Sequence, residues 1–119
     1  MEPHEIVDIA VTSLENKKAE HTRVIDIHKI SSLADFFIVT NGTNPNQMQA
    51  MVDQVTEDLA KKDCMPKHIE GNSSSNWILI DYGDVVIHVF DRESRNFYDL
   101  EHIWKDGAAY ERAEVISQV

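Results

Sequence analysis

The chain reads as a single α/β domain on three observations: an apolar hairpin past its middle, a wholly apolar strand before it, and an amphipathic helix between the two. The hairpin arms, Trp77 to Ile80 and Val85 to Phe90, are rich in β-branched residues and flank Asp81-Tyr82-Gly83-Asp84. Gly83 supplies the positive φ that a tight reversal needs. Nearly every position in both arms is apolar, so both are expected to be covered on two faces, in the middle of a sheet. Asp81, Tyr82, Asp84 and His88 are the polar interruptions that call for a reason.

The other elements follow in order. From Glu5 to Lys18, apolar residues at Ile6, Val7, Ala10, Val11 and Leu14 repeat at helical spacing, and Pro3 suits a helix start. Thr22 to His28 alternates with period two and predicts a strand, and Ser31 to Asp35 is a short connection. Phe36 to Thr40 predicts a central strand. Asn44 then caps a helix that Pro45 opens. Met48, Val52, Val55 and Leu59 form its stripe, with Met51 at the edge. Asp53, Glu57, Asp58, Lys61 and Lys62 are expected to face outward, with Glu57–Lys61 and Asp58–Lys62 as i, i+4 pairs. Pro66 bars continuation, Lys67 to Glu70 is a short strand, and Gly71 to Ser75 is a polar loop. Phe97, Leu100 and Trp104 recur at helical intervals and can dock short helical turns on the sheet, up to Gly107. Residues 1–106 therefore read as the domain, and 107–119 as a C-terminal tail, helical or disordered.

Composition excludes several classes. At 119 residues the chain can bury roughly two thirds of its unfolded surface and form a core without staples. No apolar run approaches the roughly 20 residues a bilayer requires, and the first residues lack the pattern of a secretory leader, so no membrane partner is expected. Cys64 is the only cysteine, which rules out an internal disulfide and suits a reducing cytoplasm. Acidic residues outnumber basic ones by 21 to 11, a net charge of -10 that argues against direct nucleic-acid binding and suits a basic partner.

The residues offer little for chemistry. Gly42-Thr43, between strand and helix, stands where α/β proteins bind phosphate, but no GxGxxG or P-loop pattern accompanies it, and a plain turn explains it as well. Asp81 and Asp84 could hold a divalent cation, yet aspartates at a turn are common for their own hydrogen bonding. The six histidines show no HExxH or zinc spacing, His88 reads as a hydrogen-bonded, half-buried residue, and Cys64 as a helix-end residue. No catalytic residue, metal ligand or cofactor is assigned. What stands out is aromatic and acidic character together, in Glu70, Trp77, Asp81, Tyr82, Asp84, Tyr98, Asp99 and Glu101, the mixture that an interface with a basic protein uses.

Four separated blocks carry a resemblance: Ser31 to Val39, Asn41-Gly42-Thr43, Trp77 with Asp81 to Phe90, and Phe97-Tyr98-Asp99-Leu100-Glu101-His102-Ile103-Trp104. In these the chain resembles the ribosomal silencing factor, or Iojap, family. The resemblance implies a mixed sheet flanked by helices, similar to the nucleotidyltransferase fold but without its catalytic carboxylates, and so no enzyme. It implies binding to ribosomal protein L-fourteen on the large subunit, steric exclusion of the small subunit, and repression of translation when nutrients are scarce. A homodimer in the free state, and ribosome assembly in organellar relatives, are implied as well. Carried onto this chain, the contact falls on Trp77, Asp81, Tyr82, Asp84 and the block Tyr98, Asp99, Leu100, Glu101, with Glu70 beside it. A nucleotide-dependent enzyme using Gly42-Thr43 for phosphates and Asp81 or Asp84 for Mg²⁺ is the competing reading from the residues.

Overall fold

The computed structural model describes residues 1–29, 32–72, 74–98 and 108–109. Its elements are α1 (Pro3–Asn16), β1 (Glu20–Asp26), β2 (Phe36–Gly42), α2 (Pro45–Ala60), β3 (His68–Glu70), β4 (Trp77–Asp81), β5 (Val85–Asp91), α3 (Arg92–Tyr98) and β6 (Ala108–Ala109). The six strands form one sheet in the order β3-β4-β5-β2-β1-β6. The sheet is mixed, because β2 and β5 run parallel while the other pairs are antiparallel. The α2–β3–β4 excursion supplies the long connection that a parallel pair requires.

Helix α1 starts two residues earlier than the apolar spacing indicates, because the Glu5 carboxylate reaches back to the amide of Glu2 at 3.4 Å. It ends before Lys18, which takes a left-handed φ of 60°. Helix α2 begins as expected, with the Asn44 side chain accepting from the Gln47 amide at 2.8 Å and Pro45 in the first turn. The Gln47 side chain then joins three segments. Its Oε1 accepts from the Thr43 amide and hydroxyl at 2.7 and 2.8 Å, and its Nε2 donates to the carbonyls of Lys17 and Lys18 at 3.1 and 2.9 Å. Two orphan carbonyls at the end of α1 are thereby satisfied from α2. Asp58 does not face outward as its position suggests. It turns toward α1, where Ser13 donates to it at 2.6 Å, and Lys61 rather than Lys62 stands near it at 3.9 Å. The expected Glu57–Lys61 pair is present at 3.8 Å on the exposed surface.

Helices α1 and α2 cover one face of the sheet, packing Val7, Leu14, Met48, Met51, Val55 and Leu59 on Ile38, Ile78, Ile80, Ile87 and Val89. Met51, placed at the edge of the stripe by its spacing, is fully buried. The opposite face carries a second, smaller cluster of Ile25, Ile27, Ala34, Val39 and Phe90, with Phe37, Trp77 and Val86 packed against it. Strands β2 and β5 are central, as their composition predicts, and buried on both faces along most of their length, but Phe36, Phe37 and Val86 at their starts are only half-buried. Strand β4 departs from that expectation. It lies next to the short edge strand β3, and its burial alternates: Ile78 and Ile80 are buried under the helices, while Trp77, Leu79 and Asp81 on the other face are half-buried. A continuous apolar run thus served two different environments, one core and one open face.

Among the described residues, no helix is long and apolar enough to cross a membrane. The two described residues of the 107–119 stretch, Ala108 and Ala109, pair with β1 as strand, where a helical or disordered tail was expected.

Candidate protein-docking surface

The hairpin turn is built as its residues dictate. Gly83 has φ 89°, the Asp81 carboxylate accepts from its amide at 2.7 Å, and the Tyr82 amide donates to the Val85 carbonyl at 2.9 Å. The Asp84 carbonyl accepts from the amides of Asp35 and Phe36 at 2.8 and 3.0 Å, so the turn is tied to the start of β2. Asp81 serves the turn through one oxygen, and its other oxygen lies 3.6 Å from His68 Nδ1 on the paired strand β3. His68 Nε2 in turn stands 3.4 Å from Glu70.

Register then assembles the face. In β4 and β5, Trp77 lies opposite Phe90, Leu79 opposite His88, and Asp81 opposite Val86. The parallel pairing adds β2, with Phe37 opposite Val86. The result is a cleft of about 440 Å³ lined by Leu33, Phe37, Leu79, Val86 and His88 with Asp81 and Asp84, on the face that α1 and α2 leave open. Leu33 is 84% exposed beside it. Glu70, Trp77 and Leu79 border a smaller hollow of about 240 Å³.

His88 organises the aromatic part. It is 4% exposed, accepts the Trp77 indole N–H on Nδ1 at 3.1 Å, and meets the edge of Phe37 at 4.7 Å between ring centres. Burial drives its pKa down from 6.5 to about 4, so the ring is neutral near pH 7. This is the hydrogen-bonded histidine that its strand context suggested, although fully rather than half buried.

The expected contact residues divide. Glu70, Trp77, Asp81 and Asp84 come together around one face. Tyr82 does not: it is 7% exposed within the helix-side core, and burial raises its hydroxyl above the usual range. It sits past the end of β4, where the chain turns under α1 and α2, which removes it from any surface contact in this conformation. Tyr98 ends α3, while Asp99, Leu100 and Glu101 lie outside the described residues. So do Leu100 and Trp104 of the expected helical turns. Helix α3 itself is anchored. Arg92 donates twice to the Glu20 carboxylate at 2.7 and 2.6 Å, and Arg95 donates to Asn41 at 3.0 Å and to the carbonyls of Glu20 and His21. The bonds from Arg92 hold the Glu20 carboxyl below its ordinary pKa, against the effect of partial desolvation.

Phe37, Leu79, Val86 and Leu33 were missed by sequence reasoning. Leu79 could have been found from alternation with Ile78 and Ile80 had β4 been read as one-sided. Phe37 and Val86 depend on the β2–β5 register, for which no local signal exists.

The phosphate reading of Gly42-Thr43 meets a filled site, because the Thr43 amide and hydroxyl are already bound by Gln47. Among the described residues no group of three or more His, Cys, Asp or Glu is placed to hold a metal ion. Cys64 is half-buried near the end of α2, and burial raises its thiol pKa.

Fold and surface together define a small mixed-sheet α/β domain with helices on one face and an aromatic, acid-bordered strip on the other. The family model described as ribosomal silencing factor during starvation matches residues 1–118, and the chain belongs to that family. Ribosomal silencing factor RsfS of Halalkalibacterium halodurans is 36% identical over 117 residues, covering 98% of this chain and 100% of that protein. The crystal structure of a Chromobacterium violaceum protein superposes with a TM-score of 0.85 at 34% identity, covering 88% of each chain. The Mus musculus protein named mitochondrial assembly of ribosomal large subunit protein 1 is 29% identical over 101 residues, 82% of this chain and 44% of its own length.

Proposed function

We propose that this chain is a cytoplasmic silencing factor that binds the large ribosomal subunit through ribosomal protein L-fourteen and sterically prevents the small subunit from joining. Translation is thereby repressed when nutrients are scarce. The action is binding and exclusion, with no turnover and no cofactor, and the free protein is a homodimer. Family membership supports the ribosomal target. The observation that carries the contact is the half-buried row of Trp77 and Leu79, flanked by Phe37 and Val86 and bordered by Glu70, Asp81 and Asp84. The rings supply apolar area to be covered, and the carboxylates orient a basic partner. Tyr98, Asp99, Leu100 and Glu101 extend the same contact. A standard interface needs roughly 800 Å² on each side, more than one strand can offer, so several elements must contribute.

The test is sedimentation of the purified protein with isolated large and small subunits. Co-migration with the large subunit alone, together with suppressed joining, is expected. Trp77→Ala and Tyr98→Ala should each weaken co-migration by roughly 30-fold, on the order of 2 kcal/mol, in variants that remain folded. Absence of co-migration at low salt refutes the proposal. The name of the mouse relative favours one second reading, large-subunit assembly through the same contact. It predicts that depleting the protein accumulates incomplete large subunits, which silencing alone does not.

A further inference from the structure

The arrangement around Trp77 has an unusual feature. Because Trp77 Nε1 can only donate, the His88 nitrogen facing it must be the unprotonated one, which places the imidazole proton on Nε2. Nε2 is buried and has no hydrogen-bond partner among the described residues. A buried donor without an acceptor disfavours the folded state, and an apolar side chain of similar size would not bring that penalty. Turning the ring over to pair Nε2 would give up the bond to Trp77. Phe37 in an edge contact, at 4.7 Å between ring centres, and Phe90 nearly parallel to it, at 6.4 Å and 10°, hold the ring as it is. Departures of this kind from local economy concentrate at functional positions.

We infer that His88 is a positioning residue: a neutral imidazole that holds the Trp77 ring in its docking orientation before the partner arrives. The inference rests on the docking reading above. Trp77 sits at the start of β4, with its ring packed against both Phe90, at 5.0 Å, and His88, at 5.7 Å. Ring packing is indifferent to which way the indole N–H points, since both faces of the indole are apolar. The bond to Nδ1 picks one orientation and fixes two side-chain torsions. The ordering of Trp77 is then complete in the free protein and need not be supplied by the partner. Acceptance on Nδ1 requires the neutral ring, and the apolar surroundings of His88 keep it so.

The parent is compared with His88→Phe, which keeps a ring but offers no acceptor, and with His88→Asn, which returns an oxygen close to the Nδ1 position. The readouts are the indole N–H resonance of Trp77, identified by its loss in Trp77→Phe, and sedimentation with purified large subunits. In the parent the indole proton should exchange slowly and show one sharp resonance. In His88→Phe, with the backbone spectrum retained, it should exchange fast or broaden, and subunit affinity should fall about three- to tenfold. His88→Asn should restore both. An unchanged indole resonance in His88→Phe overturns the inference, as does a changed resonance with parental affinity. Equal loss of affinity in both folded variants overturns it too. If the parent itself fails to co-migrate, the docking reading falls and the inference with it, while the indole resonance still reports whether His88 holds Trp77.

Discussion

Acid should destabilise this protein through His88 in a way that can be calculated. In the unfolded chain the imidazole titrates near 6.5, whereas in the folded protein burial moves its pKa to about 4. The unfolded chain therefore takes up the proton first as pH falls. The contribution of the neutral ring is complete above about pH 6.5 and is lost progressively down to about pH 4. At about 1.4 kcal/mol per tenfold change in proton affinity, the whole effect is about 3 kcal/mol, of which about 2 kcal/mol is gone by pH 5. For a domain of this size that is a large share of total stability. Urea unfolding of the parent and of His88→Phe at half-unit intervals from pH 7.5 to 4.5 measures it. Other titrating groups act alike in both proteins and cancel in the difference between the two stabilities. That difference should shift against the parent by about 2 kcal/mol between pH 7 and 5. Parallel stability curves would refute the assignment of a buried neutral imidazole to residue 88.

Other substitutions test the frame that holds the surface. Gln47→Ala removes four hydrogen bonds joining the end of α1, the β2–α2 turn and α2, and should cost about 2 kcal/mol in urea unfolding, more than any exposed position of α2. Gly71→Ala and Gly83→Ala both place a side chain at positive φ, but a Cβ at 71 would meet the Trp77 carbonyl at 2.5 Å, while at 83 it meets only the mobile end of Lys67 at 2.9 Å. Thermal melts should therefore show a modest loss for Gly83→Ala, on the order of 1–2 kcal/mol, and a larger one for Gly71→Ala. Arg95→Ala removes the donor that ties α3 to Asn41 and to the Glu20 and His21 carbonyls, and should raise hydrogen exchange in α3 well above that in β5, which keeps its ladder.

The amino-acid sequence by itself determined the elements and their order, because each rests on local chemistry. Asn44 and Pro45 start α2, Asp81 and Gly83 make the turn, and alternation or helical spacing marks which residues are apolar together. It also held the four blocks through which membership of the silencing factor family could be recognised. Only the tertiary structure decided which apolar residues are core and which are surface. The run Trp77-Ile-Leu-Ile80 looks uniform along the chain, yet β4 lies second from the edge, so helices cover one side and leave Trp77 and Leu79 half open on the other. Tyr82 and Asp81 are neighbours in sequence but part company at the turn, one into the helix-side core and one onto the open face. Phe37, Val86 and His88 meet because β2 and β5 pair in parallel across more than forty residues of intervening chain. A one-residue slip in that register would send each to the opposite face, and register is settled by the burial of the whole sheet, not by any residue within it.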